Sequence, residues 1–487
     1  MKPNLRSPIL LLASGALLLP LALWANERDN SAGTQAWNKI TDGKIELYTP
    51  DDPQAATGFL LTVKYLTAFL KQAGPFTFSD PPQLVVVAFH SETEFSKYRL
   101  NAGSCAFYQQ TEKGEYVVLQ DLLPEHRSVS AHEFTHFLAA HSGLKLPLWL
   151  HEGIADVYST LSVSGDQVTA GEAVPGRMKI LHHQSWLPLP NLFSVGTGSD
   201  YYSQPVKMEI FYSESWLLTH MLALSPAYAP NFRAFLRSIS EGRPAAESLQ
   251  LNFHKSVGDV EADLRAYSAQ SHLPEVSVAL RVPPLTAERF EVSTARSSDV
   301  DVALSDLVLA NPNSKAEIQT RLATAASRFP EDAKAEGALG YMAMHQGRLA
   351  EAREHFHKAI DRHSTDATVY FYAAHYDREA GIPDEQVVPL LQQALEYNPA
   401  NYEAHLELAM AATGSHNYAL ALEALSQLGT PRPEHAYAIA YSLAYCYAQT
   451  DKLDDARATI AKAKLLASND QERAEIRSLL AFVEQQQ

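Results

Sequence analysis

The chain has 487 residues, a formal charge of −17, 46% hydrophobic residues and 20% charged residues. This is ordinary globular composition at a length suited to two or three domains, which excludes disorder, collagen-like repeats and a single long coiled coil. No basic tract offsets the acidic balance, so a role resting on phosphate neutralisation, nucleic-acid binding above all, is excluded.

Lys2 and Arg6 precede an almost unbroken apolar run from Pro8 to Leu23, which ends at Trp24-Ala25 before Asn26-Glu27-Arg28-Asp29. The pattern is a secretory signal over 1–25, with an uncleaved N-terminal membrane anchor as the alternative. The mature chain is then exported, periplasmic or secreted, with no transmembrane span further on. Without Lys2 and Arg6, 37 basic residues face 56 acidic ones, a charge of −19. Two cysteines, Cys105 and Cys446, cannot make a disulfide framework and are expected as inert buried thiols. Lys44 to Tyr48 alternates as a strand, Gly58 to Gln72 reads as an amphipathic helix, and Gln83–Phe89 and Glu115–Gln120 read as buried strands.

From Glu125 to about Leu273 the signals are mainly helical, broken by a loop from Gln184 to Gln204. The first helix carries His132-Glu133-Phe134-Thr135-His136. Residues four apart share a helix face, so both imidazoles can reach one metal ion, and Glu133 can take a proton from water bound to it. Pro124 and Glu125 open this helix, and Ser142-Gly143 closes it. Leu146-Pro147-Leu148-Trp149-Leu150 then leads into His151-Glu152-Gly153-Ile154-Ala155-Asp156. Gly153 and Ala155 would let this second helix pack closely on the first. Asp156 lies one turn beyond Glu152, placed to accept the free N–H of a ligand histidine; a solvated surface carboxylate is the plain alternative.

Residues 276–297, with Pro283-Pro284, suit a connecting segment. Beyond it the chain is helix after helix, with Ala325, Ala359, Ala394, Leu428 and Ala463 spaced 34, 35, 34 and 35 apart. Leu339, Gly340, Gly347, Ala352, Phe356 and Ala359 repeat in kind as Leu443, Ala444, Tyr447, Ala456, Ile460 and Ala463. This resembles the tetratricopeptide family, as five repeats over about 298–470 with a capping helix to Gln487. The resemblance implies a concave surface for a protein or peptide partner.

The pentapeptide followed by Pro147-Leu148-Trp149-Leu150-His151-Glu152-Gly153-Ile154-Ala155 resembles the gluzincins, closest to the bacterial peptidase MA-like proteins, over about residues 40–275. The resemblance implies Zn2+ held by His132, His136 and Glu152, with Glu133 as general base. It also identifies Phe211-Tyr212-Ser213-Glu214-Ser215-Trp216 with the family's tyrosine-bearing helix, which makes Tyr212 the oxyanion-stabilising residue. A core aromatic is the other reading of Tyr212, and His220 is the substitute candidate. The metzincin pattern fails, because Ala139 and Ser142 stand where it needs glycine and histidine. His151 competes with Glu152 as third ligand, although a neighbouring helical position points about 100° away. The Gly-Ala-Met-Glu-Asn sequence of the clan's aminopeptidases is absent, so cleavage within a chain is expected.

The fold class expected is an α+β zincin-like catalytic domain at 26–275, a small sheet with active-site helices. A connecting segment at 276–297 and an all-α repeat solenoid at 298–487 follow. The expected function is zinc-dependent hydrolysis of peptide bonds in a peptide or protein substrate, lying antiparallel to the strand Tyr116–Gln120. The competing expectation is a non-catalytic repeat scaffold or assembly factor that carries a vestigial peptidase domain.

Overall fold

A computed structural model of the protein describes residues 36–78, 82–99, 104–281, 286, 289–309 and 314–486; the expected signal segment lies outside them. The chain divides into two compact units with the boundary after Lys315.

The first unit is built on a six-stranded sheet of order β4-β5-β3-β2-β1-β9. Its strands are β1 Asn38–Thr41, β2 Ile45–Thr49, β3 Leu84–Ala88, β4 Ala106–Gln110, β5 Glu115–Leu119 and β9 Glu291–Thr294. β2, β3 and β5 run parallel, while β1, β4 and β9 pair antiparallel. A second sheet joins β6 Ser162–Ser164, β7 Gln167–Ala170 and β8 Val276–Ala279. The apolar runs read as strands form β2, β3 and β5. β4 was not read, because buried Gln109 interrupts its apolar signal. The segment 276–297 does more than connect, since β8 and β9 close both sheets. β9 is exposed along its whole length and is held by its ladder to β1, so no hydrophobic pattern marks it. β5 has neighbours on both sides, so it cannot accept an added strand. The edges of this sheet are β4 and β9, which corrects the expectation of a substrate strand added beside Tyr116–Gln120.

The helices of this unit are α1 Pro53–Ala73, α2 Glu92–Phe95, α3 Arg127–Ala140, α4 Leu148–Ser159, α5 Pro175–His183 and α6 Leu189–Ser194. They continue with α7 Asp200–Ser203, α8 Pro205–Leu224, α9 Phe232–Ser240, α10 Ala245–Phe253, α11 Val257–Ser268 and α12 Ser297–Leu307. α1 starts a turn earlier than its apolar stripe, because Asp52 accepts the Gln54 N–H and Pro53 fills the first helical position. Phe59 of α1 meets Phe134 of α3 edge-on at 5.7 Å, and Tyr108 of β4 meets Phe137 at 6.0 Å. α3 therefore lies between α1 and the sheet edge. Every residue of α3 from Val129 to Ala139 is buried, which suits a helix with no solvent face. α12, grouped by its helical pattern with the repeats, packs against β3, and Asp306 accepts a hydrogen bond from Thr111 beside β4.

The second unit opens on α13 Lys315–Arg328 and continues as helix pairs: α14 Ala333–His345 with α15 Leu349–Asp361, and α16 Ala367–Glu379 with α17 Asp384–Tyr397. The pairs α18 Tyr402–Gly414 with α19 Tyr418–Ser426 and α20 Ala436–Gln449 with α21 Leu453–Leu466 follow, before α22 Asp470–Gln485. Asp332, Asp366 and Asn401 cap the first helices of three successive pairs, each accepting a backbone N–H within the first turn. Ala352, Ala421 and Ala456 are fully buried where the paired helices cross. Phe356 stacks on Tyr372 at 5.9 Å and Tyr376 at 6.5 Å, so it joins one pair to the next. Cys446 is buried here and Cys105 is partly exposed in the first unit; both are free thiols. No helix among the described residues is long and apolar enough to cross a membrane.

Candidate metal centre

α3 places His132 and His136 one turn apart, and α4 brings Glu152 to them. The Nε2 atoms of His132 and His136 are 3.0 Å apart, and Glu152 Oε2 lies 3.3 Å from the first and 3.4 Å from the second. Four-coordinate zinc, with ligands at about 2.0–2.1 Å, has donor atoms about 3.3–3.4 Å apart, so this triangle has the right size to hold such an ion. It is the one group of three such side chains brought together among the described residues. All three are about 1% exposed.

The surroundings fix these side chains. His132 donates its Nδ1–H to Asp156 Oδ1 at 2.9 Å, which turns Nε2 towards His136 and Glu152. Asp156 in turn pairs with Arg177 at 2.9 Å. Glu133 follows His132 on α3, and its Oε2 accepts the backbone N–H of Tyr108 on β4 at 2.9 Å. The general-base candidate is thus anchored to the sheet edge. His151, the competing ligand, stacks flat on His136, with ring centroids 4.6 Å apart at 10°. It supports that ring and is not a member of the ligand triangle.

Charge makes the same case for a cation. Glu133, Glu152 and Asp156 bring three buried carboxylates, and Arg177 supplies one guanidinium. A divalent ion with neutral imidazoles balances that set, whereas isolated buried charge is expensive. Burial opposes charge on His132, but the bonds to Asp156 and Glu152 outweigh it and raise its pKa to about 10, so without an ion this imidazole carries a proton that a metal would displace. Burial alone would raise Glu152; the neighbouring His136 and His132 instead hold it well below the ordinary carboxylate range. Burial, with a further contribution from the neighbouring His136, pushes the pKa of His151 down to about 3, so it stays neutral.

The remaining sequence candidates fall in different places. Tyr212 on α8 is fully buried, with the Arg177 guanidinium 5.1 Å from its ring centroid. His220 is a core residue: its Nε2–H donates to the Gly171 carbonyl and its Nδ1 accepts from Tyr267, both at 2.8 Å. With both nitrogens used, it is corrected from substitute oxyanion group to structural histidine. His141 turns to Glu115 at 2.9 Å. Gly153 does not serve the contact with α3: its Cα faces Ser215 and Thr219 of α8. Two residues not singled out from the sequence also reach the site. Arg177 arrives from α5, and Tyr202 of α7 directs its hydroxyl to Glu152 Oε1 at 3.4 Å. Neither sits at a spacing that a motif would mark.

One buried acid on α8 is not used by this centre. Glu214 is fully buried, and burial pushes its pKa up to about 8, with the Leu187 amide and Arg265 opposing and Glu261 assisting. A carboxyl raised above its unfolded value favours folding most below about pH 4.5, and that contribution is lost as pH rises towards about 8. The expected total is a few kcal/mol. Denaturant unfolding of wild type and Glu214→Gln at pH 5, 7 and 9 checks this: the wild type should lose stability relative to the variant across the series.

A tetratricopeptide-repeat family profile matches residues 319–367, which places the repeat within the second unit. No curated protein matches the chain. Among solved structures the chain is similar to YrrB, described as a TPR protein with an unusual peptide-binding site. That match has 17% identity, covers 37% of this chain and 90% of that one, and has a TM-score of 0.31. A structure of the MamA protein matches at 16% identity over 34% of this chain and 92% of that one, with a TM-score of 0.28.

Proposed function

We propose that the chain is an exported zinc-dependent metallopeptidase of gluzincin type that cuts within peptide or protein substrates, and that its repeats hold a protein or peptide partner. The observation that carries this reading is the triangle of His132 Nε2, His136 Nε2 and Glu152 Oε2, with Glu133 beside it on the same helix. Export follows from the apolar N-terminal segment and its basic start. The acidic mature chain and the absence of a basic tract speak against nucleic acid.

Zinc, when bound, lowers the pKa of a coordinated water towards 7 and polarises a substrate carbonyl. His132 and His136 would hold the ion through Nε2, with Glu152 as the third ligand, and Asp156 fixes the His132 tautomer that leaves Nε2 for it. Glu133 takes the proton released as water attacks and delivers it to the leaving nitrogen. The Tyr108 amide occupies Glu133 Oε2, which directs the other oxygen to that task. Tyr212 keeps the role that the family resemblance gives it, stabilising negative charge on the carbonyl oxygen.

The test is metal content and cleavage measured together. Purified wild type is expected to carry stoichiometric zinc and to cut unfolded casein. A chelator should abolish cutting, added zinc should restore it, and His136→Ala should lack the metal. A folded wild type that cannot be loaded with zinc, or cutting that survives complete chelation, would overturn the proposal.

A further inference from the structure

The segment between α4 and α8 brings two side chains to the back of the ligand triangle, each on a different carboxylate. Arg177, near the start of α5, is 11% exposed at its side chain and lies 2.9 Å from Asp156 Oδ2, whose other oxygen accepts from His132. Tyr202, on α7, reaches Glu152 Oε1 at 3.4 Å, while Glu152 Oε2 faces both imidazoles. Both are rooted in α8. The Arg177 guanidinium covers the Tyr212 ring, and the Tyr202 ring stands edge-on to Phe211 at 6.2 Å and 90°.

We infer that Arg177 and Tyr202 are positioning residues that orient the two carboxylates of the metal centre, so that α8 sets the ligand geometry through the segment 175–203. The inference rests on the proposed zinc site. A buried carboxylate without a partner is unstable and turns to find one. One arm of the Arg177 guanidinium fork gives Asp156 Oδ2 a counter-charge, which leaves the other oxygen for His132. Tyr202 supplies a donor to one oxygen of Glu152, so that the carboxylate presents the other to the metal. Neither residue is a ligand. Each acts by reducing the number of orientations its carboxylate can adopt before binding.

The test is zinc affinity of the full chain, measured by competition with a chromophoric chelator, alongside the thermal midpoint of the metal-free protein. Tyr202→Phe removes only a hydroxyl, and Arg177→Met removes only the charge and the fork. Each is expected to weaken zinc binding by about 10- to 100-fold. Tyr202→Phe should leave the metal-free midpoint little changed, whereas Arg177→Met lowers it by leaving the buried Asp156 without its counter-charge. Arg177→Lys, which keeps the charge without the fork, should fall between. If Arg177→Met does not fold, Tyr202→Phe decides. Wild-type zinc affinity in Tyr202→Phe and the folded Arg177 variants overturns this inference and leaves the zinc centre standing. A wild type that binds no zinc removes the centre and the inference together.

Discussion

Gly153→Ala is expected to destabilise the first unit by about 3 kcal/mol or more, although alanine is the better helix former by about 1 kcal/mol. A Cβ at this position would lie 2.1 Å from Thr219 Oγ1, 2.4 Å from the Ser215 carbonyl oxygen and 2.7 Å from Thr219 Cβ. A side chain could turn aside, but the Ser215 carbonyl belongs to the backbone of α8 and moves only if the helix does. The penalty is therefore overpacking at a helix crossing, transmitted to Glu152 next in the chain. Zinc affinity should fall with stability. Adding Thr219→Ala to the variant should recover part of the loss, since it removes the nearest atom and leaves the carbonyl. Denaturant unfolding of the three proteins, with zinc content beside it, measures both effects. A Gly153→Ala chain as stable as wild type would mean that α4 and α8 do not cross this closely.

Glu133→Gln is expected to lower casein cleavage by about 10²–10⁴-fold, the range for loss of a positioned proton-transfer group. The fold has little reason to change, because a glutamine oxygen can still accept the Tyr108 N–H at the sheet edge. Zinc should remain, as His132, His136 and Glu152 are untouched. This separates chemistry from binding, with stoichiometric metal, an unchanged melting curve and lost turnover. Undiminished cleavage would remove Glu133 from its role. A biological effect of the chain that survives the substitution would favour the repeat scaffold over the enzyme.

The helix that carries His132 and His136 was legible because a spacing of four residues on a helix is local geometry. It needs no knowledge of where the rest of the chain goes. The repeats were legible for a related reason: each pair meets only its neighbours, so Ala352, Phe356 and their counterparts recur in register with the structure. β4 and β9 were not legible. One carries a buried glutamine and pairs only with β5, the next strand in the chain; the other is wholly exposed and owes its form to β1, far away in sequence. Tyr108 therefore gave no sign that its backbone N–H would hold Glu133.

Sequence alone determined the helix carrying His132 and His136, the acidic sequel containing Glu152 and Asp156, the N-terminal apolar segment and the repeat period. In each case the requirement lies within a few residues or recurs at a fixed step. The tertiary structure alone decided that Glu152 and not His151 completes the triangle, that His220 is a core residue, and that Gly153 serves α8. It also decided that Arg177 and Tyr202 stand behind the two carboxylates. Those outcomes depend on which faces of α3, α4, α5, α7 and α8 meet. Packing between helices distant in sequence sets those faces, and no local spacing encodes it.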